Sequence, residues 1–548
     1  MKILTVFLFA AILCVSSAAQ HPSAISATRP VTLTSGLGKL HHPVSTTNAT
    51  AQQFFDQGLR FIYAFNHDEA ARSFQHASEL DPKLAMAYWG VAEAVGPNYN
   101  DPADPERFAR AHEAVQKALE LSGTAAKSDQ AYIQALARRF PADPSSDLKK
   151  AAQDYRDAMR ELVHEFPDDL DAATLFAEAA MNLHPWGLWH ADGTPEEGTD
   201  ELVATLESVL KRDPGHLGAS HYYIHAVEAS PTPERALPQA NSLAALAPGA
   251  GHIVHMPAHI YIRTGDYQAA VKTNEQAATV DRAYIKSGGA RGIYPVMYYS
   301  HNLHFIAMSA AMNGNYPEAK NNADLLLANV RSHVKEMPSL EGFTTIPLAV
   351  EVRFHRWNEI IRTPAPGPAL TIATVFWHFA RGMALASTGK VSEAQAEYKI
   401  VSDAEAATSP DLIFQMPINN KTKDILKIAT NALGAQLAMA NKNAEGAIEK
   451  LREAVAIQDT LKYNEPADWF YPMRESLGAA LLTNGNAVDA EKVFRDDLQR
   501  NPRNPRSLWG LHYALLQQKR EYDAGFIQAQ FQASWKGGNN TLTLADLI

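Results

Sequence analysis

A chain of 548 residues with 46% hydrophobic and 20% charged residues has the material for a large buried core, which excludes a disordered protein. A formal net charge of −11, spread without long runs of either sign, excludes the basic footprint of a nucleic-acid binder.

Residues 1–19 carry one early positive charge at Lys2, a short apolar run and a small-residue end at Ser17-Ala18-Ala19, the pattern of a cleaved secretory signal. The product is therefore expected to be exported, to the periplasm or the medium. Cys14 lies inside the apolar run behind Leu13, which is too large for the residue ahead of a lipid-modified cysteine. Cleavage removes this one cysteine, leaving no disulfide, thiolate ligand or cysteine nucleophile. No later apolar stretch reaches the roughly twenty residues that span a bilayer, so no transmembrane segment is expected.

Residues 20–49, rich in Ser, Thr, Pro and Gly, read as an irregular lead-in ending past His41-His42-Pro43. A helical pattern follows in which Gly58, Ala70, Phe74, Ala77 and Pro82 are spaced as small, small, aromatic, small and helix-ending residues. The same offsets return as Gly478, Ala490, Phe494 and Pro502. Between them lie Ile224, Ala236, Leu243 and Pro248; Ala258, Tyr261, Gly265, Ala270 and Ala277; Ala307, Gly314 and Ala319; and Gly382, Leu385, Gly389, Ala394 and Tyr398. This pattern resembles the tetratricopeptide repeat (TPR) family over nearly the whole chain, from about Thr50 to Lys536. The resemblance implies an all-α, right-handed solenoid of antiparallel helix pairs. Small residues let two helices of a unit approach, the aromatic fills the gap to the next unit, and Pro ends the second helix.

Insertions at Gly96–Pro102 and Leu183–His190 lengthen turns between helices, and such loops gather on one edge of an array. The second carries Trp186 and Trp189, candidates for stacking on a ligand or for packing the loop onto the scaffold. Pro364-Ala-Pro-Gly-Pro368 is the clearest linker signal, dividing an N-terminal array (50–363) from a C-terminal array (369–536), and the tail 537–548 is expected to fray.

Eight of the twenty-one histidines fall between Gly215 and His304. His221, His225 and Glu228 stand at i, i+4 and i+7, which stacks them on successive turns of one helix. His255 and His259 repeat the i, i+4 step, His252 precedes them, and His301 and His304 follow in the next unit. Pro257 is accommodated in a first helical turn if that helix starts near Val254, and His252 then has no direction fixed by periodicity. Spacing shows only a shared face within each helix. The TPR resemblance adds that this face lines a concave groove, which would bring the three helices' histidines to one wall. Imidazoles with a carboxylate suit a divalent transition metal such as Zn, Cu or Fe, with Glu228 as ligand or general base. The same groove would instead serve a metal-free scaffold by holding a peptide or protein. Arg263, Arg353 and Arg474 are candidate carboxylate binders, Arg263 nearest the cluster. There is no zincin motif, nucleophile elbow, P-loop or dinucleotide fingerprint.

Overall fold

The computed structural model describes residues 30–143, 146–288, 293–367, 369–415, 420–538 and 542–547. The signal-like segment 1–19 and the first part of the lead-in lie outside the described residues. Among those described there are twenty-five α-helices and no strand, only isolated bridges. Helices adjacent in sequence pack against one another in space, as Ala49–Ile62 does on His67–Leu80 and Tyr294–Asn313 on Tyr316–Val330. The fold is a solenoid of helix pairs of the tetratricopeptide type.

Local chemistry sets where these helices begin. Asn48, Asn66, Asp104, Asp147, Asp169, Asp266, Asn315, Asn443 and Asn486 each accept a backbone N–H of the first helical turn that would otherwise lack a partner. The spacing of small and aromatic residues has a direct physical meaning. The fully buried Phe74 ring lies between Gly58 of its own unit and Gly90 of the next, where an added Cβ would come within 2.6 and 2.3 Å of it. Phe494 is held in the same way between Gly478 and Gly510, at 2.4 and 2.2 Å. Gly90→Ala is accordingly expected to lower the unfolding free energy by about 1 to 3 kcal/mol through overpacking against a stiff ring. An unchanged urea midpoint would show that Phe74 can step aside.

Two contacts join helices far apart in the chain. At the N-terminal side, Gly218 lets the Tyr63 ring approach, since a Cβ there would lie 2.5 Å from it, and this seats the first helix pair on the Leu217–Val227 helix. At the C-terminal side, Arg353 makes a bidentate pair with Glu475 at 3.0 and 3.1 Å. Leu348, Val352 and Ile360 already pack into the C-terminal core, so apolar packing passes between the arrays ahead of the Pro-rich segment. In the tail, expected to fray, Leu542 and Leu547 are buried and Ser476 donates to the Leu547 carbonyl at 2.7 Å.

From residue 30 to 48 the lead-in is irregular, as its composition predicts, yet it is pinned. Gly249 donates to the Gly36 carbonyl at 2.8 Å, and His42 Nδ1 lies 2.8 Å from Asp171. Asp171 also accepts from the Tyr63 hydroxyl at 2.7 Å and lies 3.3 Å from His216. Burial alone would raise the Asp171 pKa, but the hydrogen bonds and charges of His216 and His42 outweigh it and hold the carboxyl well below the usual range. Burial would likewise lower His42, yet the bond to Asp171 and its charge raise it above 6.5. A depressed carboxyl contributes stability above its unfolded pKa of about 3.9 and loses it as pH falls; a raised imidazole contributes below about 6.5 and loses it as pH rises through its folded value. Amide protection factors across residues 36–45, that is, exchange relative to the unstructured chain at the same pH, should therefore be highest between about pH 4 and 6.5 and fall on both sides. A profile flat from that window to about pH 9 would remove His42 from the clasp.

Candidate functional site, a buried histidine ladder

The Leu217–Val227 helix is capped by His216, whose Nδ1 accepts from the Ala219 N–H at 3.1 Å; this accounts for His216 and leaves it outside the ladder. One turn and two turns on, His221 and His225 are fully buried. The next helix does not start near Val254. It starts at Gly251, runs to His255 and re-forms as Pro257–Arg263, because Pro257 has no N–H to continue the first segment. Met256 keeps right-handed helical dihedrals through the joint (φ −52°, ψ −35°), so His252, His255 and His259 stay on one side. His301 comes from the Tyr294–Asn313 helix.

These six imidazoles form a continuous ladder. Ring centroids are 4.9 Å apart for His221–His225 and His221–His252, 5.7 Å for His252–His255 and for His225–His259, and 4.8 Å for His255–His259 and His255–His301. Ligand atoms of His221, His225 and His252 lie within 4.8 Å of one another, as do those of His255, His259 and His301, so each triad has the geometry to hold a metal ion. His252 and His221 face each other Nε2 to Nε2 at 3.1 Å, and His255 and His259 at 2.8 Å. Two nitrogens bound to one ion at 2.0–2.1 Å and 90–109° lie about 2.8 to 3.4 Å apart, so the first pair fits and the second sits at the lower edge.

The opposite ring nitrogens are turned outward to acceptors. His221 Nδ1 meets the Tyr63 carbonyl at 2.7 Å, His255 Nδ1 the Asn274 side-chain oxygen at 2.6 Å, and His225 Nδ1 the Glu228 carboxylate at 3.0 Å. A carbonyl or carboxylate can only accept, so each of these Nδ1 atoms carries the proton and each Nε2 presents a lone pair inward. His225 Nε2 is buried without a hydrogen-bond partner. Burial, reinforced by neighbouring imidazoles, holds His221, His252, His255 and His301 well below their usual pKa, and burial lowers His225 despite Glu228. These rings are neutral near pH 7, the form that ligates metal.

Glu228 stands on the Nδ1 side of the ladder. Its other oxygen lies 2.6 Å from His259 Nδ1, and Glu465 lies 3.0 Å from the same nitrogen. Burial would raise Glu228, but the charges of His259 and His225 hold it at about 2. Burial dominates at Glu465 and lifts it to about 7, while the two carboxylates, against the cost of burial, raise His259 to about 10. Glu228 lies in neither triad, but with His259 and Glu465 it forms a third group whose ligand atoms lie within 4.8 Å of one another, so it can orient imidazoles or ligate.

His304 belongs to neither triad. Its ring lies edge-on to Phe343 at 5.5 Å, neither nitrogen has a partner, and burial lowers it to about 3. Arg263 donates to the Glu228 carbonyl at 2.9 Å and the Ser230 carbonyl at 3.3 Å, closing the end of the Leu217–Val227 helix, and also lines a cavity of about 220 Å³ with Glu465 and Met308. Trp189 donates to the Ala226 carbonyl at 2.8 Å, so it packs its loop. Trp186 and Tyr99, from the two inserted loops, lie 5.7 and 5.3 Å from His225 and wall the ladder on that side.

Sequence reasoning missed four residues here: Phe65, Tyr99, Asn274 and Glu465. Phe65, at the turn of the first helix pair, covers His221, His225 and His252 at 4.5, 5.5 and 5.3 Å, with a left-handed backbone (φ 53°) unusual for a bulky residue. None of the four shares the histidines' register. A separate group away from the ladder, His42, Asp169 and Asp171, has ligand-like spacing, but its atoms are consumed: Asp169 caps a helix and accepts from the Tyr132 hydroxyl, and Asp171 is the lead-in clasp.

Fold and site together define a TPR-type helical-repeat protein that encloses a histidine-lined interior. No protein-family model matches the chain, and no curated protein matches it in sequence. Among solved structures, the human IFIT1 dimer with m7Gppp-AAAA is 11% identical over 89% of this chain and 91% of its own, with a TM-score of 0.33. Yeast Tom70 is 13% identical over 88% and 99%, at 0.32, and Ypp1 10% identical over 91% and 88%, at 0.38. At these identities and scores the likenesses add nothing to what the helix pairing already shows.

Proposed function

We propose that the protein is an exported helical-repeat metalloprotein whose interior holds a transition-metal centre on His221, His225, His252, His255, His259 and His301, oriented by Glu228. Export rests on the signal-like segment 1–19. The observation that carries the metal reading is the inward turn of the Nε2 lone pairs of His221, His225 and His255, whose Nδ1 atoms are committed to outward acceptors, within two triads of ligand-spaced imidazoles. His225 Nε2 is buried with no hydrogen-bond partner in the protein, which a cation in the inner triad would supply; a cation in the outer triad has to displace the proton that the raised His259 carries. An all-imidazole set suits Zn, Cu or Fe, and three ligands leave a coordination position open, as catalytic metal sites do.

A TPR-type scaffold is suited to binding proteins, but the groove at these helices is filled by the chain's own Phe65, Tyr99 and Trp186. A peptide at this place would have to displace them, which weighs against the metal-free reading here. Elemental analysis of untagged protein purified without chelator is expected to find at least one first-row ion per chain, and stripping it should lower the melting temperature. Less than about a tenth of an ion per chain, with no uptake on addition of Zn²⁺ or Cu²⁺, would sink the metal reading.

A further inference from the structure

We propose that the centre holds two ions, an inner one on His221, His225 and His252 and an outer one on His255, His259 and His301, yoked through Glu228. This rests on the metal reading above.

The first ground is the grouping of ligand atoms. They fall into two triads, each mutually within 4.8 Å, and each triad contains one close Nε2 pair, at 3.1 and 2.8 Å. An ion bound at 2.0–2.1 Å spans ligands no more than about 4.2 Å apart, so six imidazoles whose ligand atoms gather in two separate groups suit two ions. The inner triad carries an independent mark, the buried His225 Nε2 without a partner.

The second ground is the way the ligands are oriented. Glu228 sends one oxygen to Nδ1 of His225, in the inner triad, and the other to Nδ1 of His259, in the outer triad. A carboxylate behind a metal-bound imidazole fixes its orientation and strengthens it as a ligand. Here one carboxylate does this for both triads. Tyr63 and Asn274 anchor a further imidazole in each, His221 and His255.

The third ground is unequal access. Phe65 covers all three imidazoles of the inner triad. His301, in the outer triad, is the one member of the six that is partly exposed, and the cavity of about 220 Å³ reaches Glu465, which touches His259. The outer ion should therefore load and leave first.

The test counts ions in full-length, untagged protein expressed with Zn²⁺ in one preparation and Cu²⁺ in another. The expected result is about two ions per chain, falling to about one in His252→Asn and about one in His301→Asn. A chelator should remove one ion quickly and the other slowly from the wild type, with the fast phase missing in His301→Asn. About one ion in the wild type, abolished by either substitution, would overturn the proposal in favour of a single shared centre. One ion that His252→Asn leaves untouched would overturn it too, reducing the inner triad to hydrogen-bonded imidazoles. Both outcomes differ from the absence of metal, which would sink the reading beneath. The wild-type count needs no variant, so it decides even if a substituted chain fails to fold.

Discussion

Glu228→Ala is expected to lower the unfolding free energy by about 3 to 5 kcal/mol, with the lower end favoured because Glu465 remains close to His259. The carboxylate is buried, 3.0 Å from His225 Nδ1 and 2.6 Å from His259 Nδ1. Removing it leaves two buried ring N–H groups without their carboxylate acceptor. It also leaves His259, which the two carboxylates raise to about 10, with one counter-charge instead of two. The penalty comes from stranding charge and donors, so Glu228→Gln should cost less. Its amide oxygen still accepts from one imidazole, though its NH₂ turns a donor toward the other. Metal affinity should fall about 10- to 100-fold in either variant, the usual cost of losing the group behind a ligating histidine. Urea unfolding with metal titration checks both. Wild-type stability and affinity in Glu228→Ala would show that the imidazoles hold their places unaided.

How much of this was legible beforehand follows from how local each feature is. The spacing Gly58, Ala70, Phe74, Ala77 reports a helix pair because an aromatic ring and the glycines that make room for it, Gly58 and Gly90, lie within one unit of each other. The shared side of His221 and His225, and of His255 and His259, follows from helical geometry over one turn. His252 was named with the cluster, but its direction was not legible, since it depends on a helix that starts three residues earlier than expected and tolerates Pro257 at a joint. Nor were Tyr63 and Phe65, which meet His221 across 158 residues of chain. Nor was Glu465, which reaches His259 from the far array. Repeats specify neighbours. The accumulated twist that brings distant units together, and so closes a groove into an interior, is a property of the whole array.

Arg353→Met should destabilise the chain by about 3 to 5 kcal/mol, while the double variant Arg353→Met, Glu475→Leu should recover much of that loss. Both side chains are almost wholly buried, at 1% and 2% exposure, and their two contacts of 3.0 and 3.1 Å are the bidentate geometry that arginine favours. Arg353 spends its Nε on the Ala311 carbonyl at 3.1 Å, and Asn504 adds a donor to Glu475 at 2.8 Å. Losing the arginine alone leaves the buried carboxylate with the Asn504 donor and the Arg506 charge in place of its bidentate partner; replacing both charges removes that carboxylate, at the expense of one counter-charge to Arg506. This pair ties the Ile346–Arg353 helix to Met473–Thr483, whose lead-in segment carries Glu465. Slack in the tie should therefore be felt at His259, and the single variant should bind metal more weakly with every histidine in place. A double variant no more stable than the single would mean that the ion pair itself, rather than the stranded charge, dominates. Unaltered metal affinity in the single variant would mean that Glu465 is held at the centre by its own loop.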